Sequence, residues 1–219
     1  MAFTIFSSPV TVKSPNQCNN ASWEEAISLE RQATQAFENS DFKQALGFCK
    51  KAVLKKETAT GEFCLTTAKT YTQLGDILEK MENNLEAGVA YIKALQITTF
   101  ILPPSTDLRI LELFKKVGFC YEKQELLEKA VKIYSEAFHF YQSVNKKTAF
   151  FFCKKIGDIY LMTGGYSLAL KWLTAIDLSI ETDPEIREKI LSNIVCCSKK
   201  LRSEDNSLEA PSSKRICLE

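Results

Sequence analysis

The chain has 219 residues, 45% of them hydrophobic and 25% charged, and a formal net charge of +1. This composition is ordinary for a globular protein of one or two domains, and the near-neutral charge excludes recruitment of nucleic acid, an anionic membrane or an acidic substrate by the overall field alone. No stretch approaches the roughly 20 apolar residues of a membrane span, so we expect no membrane insertion and an intracellular protein, cytoplasmic, nuclear or both.

The amino-terminal residues 1–21 carry two prolines and no helical period, which predicts a disordered arm. From Trp23 onwards, apolar residues recur at spacings of three and four, as on one face of an α-helix. This pattern predicts four helical hairpins, over residues 22–58, 62–102, 106–144 and 148–181. No segment alternates apolar and polar residues as a strand does, so the predicted fold class is all-α.

Short polar or glycine-containing segments interrupt the helical pattern inside three hairpins and predict their turns. They are Asn39-Ser40-Asp41, Asn83-Asn84 and Gly164-Gly165. The second helix of the fourth hairpin is expected to run from Tyr166 to Ile180.

A ninth helix is predicted over residues 184–201. Asp183-Pro184-Glu185 combines an N-cap side chain, proline at the first helical position and an acidic residue near the positive end of the helix dipole. An apolar stripe on one side and polar residues on the other suit the terminal cap of a repeat array. The repeat domain is thus predicted to span 22–202, and the Ser-, Glu-, Asp- and Pro-rich residues 203–219 are predicted to be a disordered tail.

A pair of small residues twelve positions apart recurs in every hairpin. The pairs are Ala33 and Ala45, Gly75 and Ala87, Gly118 and Ala130, and Gly157 and Ala169. Sixteen positions after the first small residue come Cys49, Tyr91, Tyr134 and Leu173. Small residues let two helix backbones approach, and the larger ones fill the space beside them, so the ladder indicates an array of packed repeats.

This ladder resembles the tetratricopeptide repeat family, whose pattern places Leu-Gly, an aromatic residue, Ala, an aromatic residue and Ala at these offsets. The matching residues are Leu74-Gly75, Ala87, Tyr91 and Ala94; Val117-Gly118, Tyr121, Ala130, Tyr134 and Ala137; and Ile156-Gly157, Tyr160, Tyr166, Ala169 and Leu173. The first copy lacks the glycine. The copies start 42, 43 and 39 residues apart, against about 34 in the usual repeat, which is similar to the long-repeat members. The resemblance covers residues 22–180 and implies an α-solenoid of four hairpins with a carboxy-terminal capping helix.

In that family, the first helices of successive repeats line a concave groove that binds a peptide. Carried onto this sequence, the resemblance implies a peptide-binding groove at Lys69, Thr72, Asp76, Lys115, Phe119, Phe151, Lys154, Asp158 and Leu161, with Glu30 and Thr34 on the first helix. Phe119 and Phe151 are the expected apolar anchors, and the lysines would orient the peptide. The competing interpretation is that these residues are ordinary solvated helix faces.

Some family members clamp the terminal carboxylate of a chaperone through an Asn that directly follows the glycine. The corresponding residues here include Asp76 and Asp158, which repel a carboxylate. Chaperone carboxy-terminal peptides are therefore not expected to bind.

No catalytic, metal or cofactor site is expected. The eight cysteines show no Cys-x-x-Cys spacing and several fall on apolar helix faces, which suits a reducing compartment. Cys196-Cys197 are expected to be ordinary buried cysteines. The single histidine, His139, leaves no partner set for zinc or for a cysteine nucleophile, and is expected to be a partly buried packing residue.

The sequence therefore predicts a non-enzymatic protein-interaction module or adaptor. One alternative is a subunit that docks through its convex face or open end, as vesicle-fusion attachment proteins do, and another is a short isoform or fragment of a longer scaffold. Three lysine pairs, Lys115-Lys116, Lys146-Lys147 and Lys154-Lys155, offer a strip for RNA or phospholipid. Interspersed acidic residues favour a solvated face instead, so we expect no nucleic acid partner.

Overall fold

The structure, a computed structural model, describes residues 20–60, 64–102, 108–179, 181 and 183–208. Within these ranges the chain forms nine α-helices and no strand, which confirms the all-α prediction. The helices are α1 (Asn20–Glu38), α2 (Phe42–Thr60), α3 (Leu65–Lys80), α4 (Asn84–Ile101), α5 (Leu108–Lys123), α6 (Leu127–Tyr141), α7 (Lys146–Met162), α8 (Tyr166–Thr174) and α9 (Pro184–Leu208). None of these described helices combines the length and apolar character needed to cross a bilayer.

Consecutive helices pair into hairpins: α1 with α2, α3 with α4, α5 with α6, and α7 with α8. Helix α9 packs on α8. The chain divides between Phe140 and Tyr141 into two compact units, and the repeat domain predicted over 22–202 stays a prediction. The first unit holds the first three hairpins, and the second holds α7, α8 and α9.

Each hairpin turn contains one residue with positive φ, always seven positions after the small residue of the first helix. These residues are Ser40 (62°), Glu82 (59°), Glu125 (58°) and Gly164 (75°). Only Gly164 takes this left-handed conformation without the steric cost of a Cβ atom. The second helices of the first two hairpins are then capped, because Asp41 Oδ1 accepts from Gln44 N at 3.0 Å and Asn83 Oδ1 from Glu86 N at 3.3 Å.

The repeated glycine marks the closest approach of the two helices in a hairpin. A Cβ atom added at Gly118 would lie 2.1 Å from Tyr134 Cε1, and one added at Gly75 would lie 2.4 Å from Tyr91 Cε1. Both tyrosines are fully buried, so no open space remains beside either glycine. Gly157 has the same relation to the next large residue of its ladder, with an added Cβ 2.6 Å from Leu173 Cδ2.

The first hairpin explains why its copy of the motif lacks glycine. Its residues at these two offsets are Ala33 and Cys49, and both are fully buried. Cysteine is much smaller than tyrosine, so the Cβ atom of Ala33 fits beside Cys49, where a tyrosine would require glycine.

Two helix ends differ from the predictions. Helix α8 ends at Thr174 rather than at residue 180, because Asp177 Oδ1 accepts from Ser179 N at 3.1 Å and from Ser179 Oγ at 2.6 Å and so forms a turn. Helix α9 continues to Leu208, past the predicted end at 201 and into the predicted tail. Residues 1–19 of the predicted arm and residues 209–219 of the tail lie outside the described residues.

A carboxyl group on α6 is buried without a hydrogen-bond partner in the described chain. Both side-chain oxygens of Glu136 are shielded from solvent, and burial raises the pKa of this carboxyl while Lys132 partly opposes the shift. Because the folded pKa lies above the unfolded one, folding favours the protonated form. The contribution of Glu136 to stability should therefore be most favourable below the ordinary glutamate pKa and should fall as the pH rises through the raised one.

We expect Glu136→Gln to stabilise the protein at pH 7 by about 0.5–1 kcal/mol, allowing for solvent screening of a partly exposed group. The gain should shrink towards pH 4, as measured by urea unfolding at several pH values. Glu128→Gln, an exposed change on the same helix, is the control and should show no such trend. A gain for Glu136→Gln that is constant over this pH range would contradict the assignment.

Candidate binding groove

Three parallel first helices of the first unit line one groove. Its volume is about 1290 Å³, which is large enough for several side chains of a ligand. The lining side chains come from α1, α3 and α5, with Thr98 from α4 and Leu65 and Leu108 at the first residues of α3 and α5. They are Ile27, Glu30, Arg31, Thr34, Gln35, Glu38, Leu65, Thr66, Ala68, Lys69, Thr72, Gln73, Asp76, Thr98, Leu108, Arg109, Glu112, Leu113 and Lys116.

An ion pair between α1 and α2 lies beneath this groove. Glu30 Oε1 accepts from Lys56 Nζ and from Thr70 Oγ1, each at 2.5 Å. Lys56 is only 2% exposed, donates also to the Thr66 carbonyl at 3.2 Å, and has its ammonium 5.5 Å from the centre of the Trp23 ring. Glu30, a polar interruption in the apolar pattern of α1, therefore neutralises a buried cation and joins three helices.

A second polar network links α3, α4 and α5 at the groove wall. The Tyr91 hydroxyl lies 2.7 Å from Asp76 Oδ1 and 2.8 Å from Glu79 Oε2. Burial, followed by the hydrogen bond to Asp76, raises the pKa of Tyr91 far above its ordinary range, so the phenol stays protonated and donates. Lys116 Nζ donates to Asp76 and lies 5.0 Å from the centre of the Tyr91 ring. The charge of Asp76 is thus compensated within the fold.

Two of the other lining charges have no such compensation from described residues. Arg31 on α1 and Lys69 on α3 are exposed and make no ion pair with any described residue. Apolar side chains lie along the same groove, including Ile27, Leu65 and Leu108, the last of which is 73% exposed. The groove therefore combines apolar contact area with two cations that are available to a ligand.

Of the predicted groove residues, Lys69, Thr72 and Asp76 line this groove, as do Glu30 and Thr34. Lys115 and Phe119 do not. Lys115 pairs with Glu112 at 2.9 Å, and the ring of Phe119 lies 5.2 Å from Lys123 Nζ. The cause is the rotation of α5, which turns Arg109 and Lys116 to the groove instead, beside Glu112, which was also expected there.

The remaining predicted residues lie on α7 in the second unit. Phe151 is half-buried, with its ring centre 5.3 Å from that of Phe152, and Leu161 is also half-buried. Lys154 Nζ and Asp158 Oδ2 form an ion pair of 2.7 Å along the helix. Their contact with a partner stays a prediction.

One regular position of the groove was not predicted from the sequence. The residue two places before the small residue of each first helix lines the groove in all three hairpins of the first unit: Arg31, Gln73 and Lys116. The common offset was visible in the sequence, but only the groove shows that this position faces inward.

Three of the described cysteines, Cys49, Cys120 and Cys153, are buried thiols of low reactivity. The described cysteines form no disulfide, and burial raises the pKa of Cys49, Cys120 and Cys153 to about 12. Cys196 is exposed and Cys197 buried, so the expectation that both are buried was wrong for Cys196; the two side chains leave α9 about 100° apart.

His139 is exposed on α6, not partly buried as expected. In the part of the chain that the structure describes, no group of three or more His, Cys, Asp or Glu side chains is placed to hold a metal ion.

No protein-family model and no curated protein matches the chain. Solved structures do match it. One contains the TPR-like repeats of a Podosopora anserina kinesin light chain, with 10% identity and a TM-score of 0.54, and the match covers 81% of this chain and 97% of that one. RapI matches with 15% identity and a TM-score of 0.60, and the match covers 84% of this chain and 66% of that one. BtubC from P. vanneervenii matches with 16% identity and a TM-score of 0.56, and the match covers 82% of this chain and 80% of that one.

At these identities the likeness shows the fold alone. The chain has a tetratricopeptide-type repeat fold, which confirms the expected resemblance and the class of all-α solenoids built from helix hairpins. Folds of this class present extended surfaces for protein interaction.

Proposed function

We propose that this chain is a non-enzymatic adaptor that binds a segment of a partner protein in the groove between α1, α3 and α5. The observation that carries the proposal is the groove itself, in which apolar side chains accompany the uncompensated cations Arg31 and Lys69. An extended or helical segment with apolar residues and at least one acidic side chain fits this chemistry.

The ionisable groups at the groove support binding rather than catalysis. Glu30 is held by Lys56, and Asp76 by Lys116 and Tyr91. A general base needs a lone pair that is available to the substrate, and these carboxylates are already engaged by the fold. Because Asp76 stands where chaperone-binding members clamp a terminal carboxylate through an Asn, and its Oδ1 accepts from Tyr91 and Lys116 rather than donating, we propose that such peptides are not ligands.

Two further features belong to the same proposal. On α7, Phe151, Lys154, Asp158 and Leu161 are proposed partner contacts of the second unit. The free thiols of the described cysteines suit a reducing compartment, so we place the protein in the cytoplasm, the nucleus or both.

Charge reversal in the groove provides the test. We expect Lys69→Glu, alone or with Arg31→Glu, to remove the partners that the wild-type protein captures from cell extract, as quantified by mass spectrometry. Binding of a peptide from the captured partner, measured by fluorescence anisotropy, should weaken at least tenfold, or by about 1.4 kcal/mol.

Lys80→Glu is the matched control, since it makes the same change at another exposed lysine of α3 that does not line the groove. This variant should keep both capture and affinity. Equal loss in both variants would point to a general charge effect, and no loss in either would reject the groove as the binding site.

A further inference from the structure

Polar contacts hold the first helices of the first unit in a fixed register. Thr70 Oγ1 of α3 donates to Glu30 Oε1 of α1 at 2.5 Å, and these residues are 40 positions apart. Gln73 Nε2 donates to Thr34 Oγ1 at 2.9 Å, over 39 positions. The ion pair from α5 to Asp76 of α3 again spans 40 positions. Residues about 40 positions apart therefore lie at the same level of these parallel helices.

This register brings three cationic side chains of the groove to one level. Lys69 of α3 and Arg109 of α5 are 40 positions apart, and Arg31 of α1 is 38 positions before Lys69. The difference of two positions amounts to about 3 Å of helix rise. All three side chains line the groove, and Arg31 and Lys69 are exposed and make no ion pair with any described residue. We call Arg31, Lys69 and Arg109 the cation layer.

The carboxylates that line the groove leave the charge of Arg31 and Lys69 in place. Glu30 is engaged by the buried lysine of α2 at 2.5 Å, and Glu112 by a lysine of its own helix at 2.9 Å. Glu38 and Asp76 are each seven positions further along α1 and α3, about 10 Å from the cation layer. Among the described residues, positive charge is therefore in surplus at this level.

The two sides of the cation layer differ in polarity. Ile27 and Leu65 line the groove four positions before the α1 and α3 members of the layer, about 6 Å nearer the amino ends of these helices. Leu108, which is 73% exposed, is next to the α5 member. On the other side lie the uncharged side chains of Thr34 and Gln73. The groove is thus apolar, then cationic, then neutral and polar along its length.

We propose that the groove binds a partner segment carrying a phosphorylated serine or threonine, whose phosphoryl group lies on the cation layer and whose apolar neighbour lies against Ile27 and Leu65. This rests on the proposed function and names the anion that the groove recognises. A phosphoryl group has a charge of about −1.5 to −2 at pH 7 and three acceptor oxygens. It can accept from cations on two helices at once, and a guanidinium binds two of its oxygens as a fork.

A carboxylate and a nucleic acid fit the cation layer less well. A carboxylate offers a single charge and two oxygens, so it satisfies fewer of the donors. Nucleic acid presents a phosphate at every nucleotide and is bound through cations along its path. Here the cations form one layer, and the carboxylates of Glu38 and Asp76 follow about 10 Å further on. One phosphoryl group, flanked by an uncharged segment, suits this distribution.

The test uses three soluble libraries of 13-residue peptides that are degenerate except at the central residue, which is phosphoserine, serine or glutamate. Each library is passed over immobilised full-length protein, and the retained peptides are quantified and sequenced by mass spectrometry. We expect retention of the phosphoserine library to exceed that of the serine library at least tenfold and that of the glutamate library at least threefold. Retained phosphopeptides should be enriched in apolar residues on one side of the phosphoserine.

Variants of the cation layer locate the binding site. Combined Arg31→Gln and Lys69→Gln should lower retention of the phosphoserine library at least tenfold and keep the helical circular dichroism spectrum, because both side chains are exposed. Lys69→Arg keeps the charge and should keep retention. Lys80→Gln is the matched control, at an exposed lysine of α3 that does not line the groove, and should leave retention unchanged.

Phosphatase treatment separates this inference from the proposed function. Phosphatase-treated cell extract should no longer supply the partners that the wild-type protein captures and Lys69→Glu does not. Capture that depends on Lys69 but survives phosphatase, with equal retention of the glutamate and phosphoserine libraries, would keep the groove as the binding site and reject the phosphorylated ligand. Capture that neither Lys69→Glu nor phosphatase reduces would reject both proposals.

Two further results would overturn the inference alone. Unchanged retention of the phosphoserine library by the Arg31→Gln and Lys69→Gln variant would place the phosphoryl group elsewhere on the protein. Displacement of the retained phosphopeptides by single-stranded RNA at a lower concentration than by free phosphopeptide would assign the cation layer to nucleic acid.

Discussion

Replacement of Glu30 by alanine is expected to destabilise the protein by about 3–5 kcal/mol, one of the largest effects of any single substitution in the first unit. Lys56 would keep a buried ammonium group whose only remaining described hydrogen bond is to the Thr66 carbonyl. Losing one partner of a buried pair exposes the full desolvation cost of the other. The measurement is urea unfolding at pH 7, followed by circular dichroism.

The neighbouring lysine supplies a matched control. Lys55 pairs with Glu25 at 2.7 Å, but their side chains are 40% and 54% exposed. Glu25→Ala should therefore cost no more than about 1 kcal/mol. If Glu30→Ala is too unstable to purify, the double variant Glu30→Leu with Lys56→Met should recover most of the lost stability, because it removes both buried charges. Equal costs for Glu30→Ala and Glu25→Ala would contradict the buried pair.

Gly118→Ala is expected to destabilise the protein by about 1–3 kcal/mol, although alanine favours a helix over glycine by about 1 kcal/mol. The added Cβ atom would lie 2.1 Å from Tyr134 Cε1. The ring has little freedom to move, because Tyr134 is buried and its hydroxyl donates to Glu122 Oε1 at 2.5 Å. Burial and this hydrogen bond also raise the pKa of Tyr134, so the phenol remains a donor. Thermal and urea unfolding measure the cost.

Gly47→Ala is the control for this substitution. No atom lies within 4 Å of a Cβ added there, in the interior of α2, so this variant should be more stable than the wild type by about 0.5–1 kcal/mol.

The first hairpin also predicts a rescue, since Ala33 there accompanies Cys49 in place of tyrosine. In a Tyr134→Cys background, Gly118→Ala should cost at least about 1 kcal/mol less than in the wild type. Equal costs in the two backgrounds would show that the glycine is not required by the tyrosine.

Two polar networks, one around Glu30 and one around Asp76, also bear on the proposed groove. The Glu30 and Lys56 pair joins α1 to α2 and, through Thr70, to α3, while Asp76, Tyr91 and Lys116 join α3, α4 and α5. The walls of the groove are therefore fixed to each other by polar networks beneath and beside it. A groove that is held in shape before binding loses less conformational freedom when the ligand arrives.

Much of the fold was predictable because its signals are local or periodic. Residues three and four apart share a helix face, and residues such as Asp41 and Asn83 end one helix and cap the next. The twelve-residue and sixteen-residue offsets identified the helix contacts, since Gly75 and Gly118 stand where Tyr91 and Tyr134 leave no room for a side chain. Helix ends were harder to predict, as α8 shows, because a single Asx turn is enough to stop a helix.

The groove was only partly predictable, for a geometric reason. Lys115 and Lys116 are adjacent in the sequence, yet only Lys116 faces the groove, where it binds Asp76, while Lys115 pairs with Glu112. Successive residues of a helix point about 100° apart, so an error of one position in the rotation of α5 exchanges the two side chains.

By itself, the sequence determined the helices, their pairing into hairpins and the repeat class, because these follow from spacing along the chain. Only the tertiary structure decided the environment of each charged or apolar side chain. Lys55 and Lys56 are the same residue type in the same helix, but the side chain of Lys55 is 40% exposed and that of Lys56 is buried against Glu30 and Trp23. Helix α4 is apolar around most of its circumference, and only the tertiary structure shows that Leu85 is 63% exposed while Ala94 is buried. Burial depends on what other helices place beside a residue, and that information is not local in the chain.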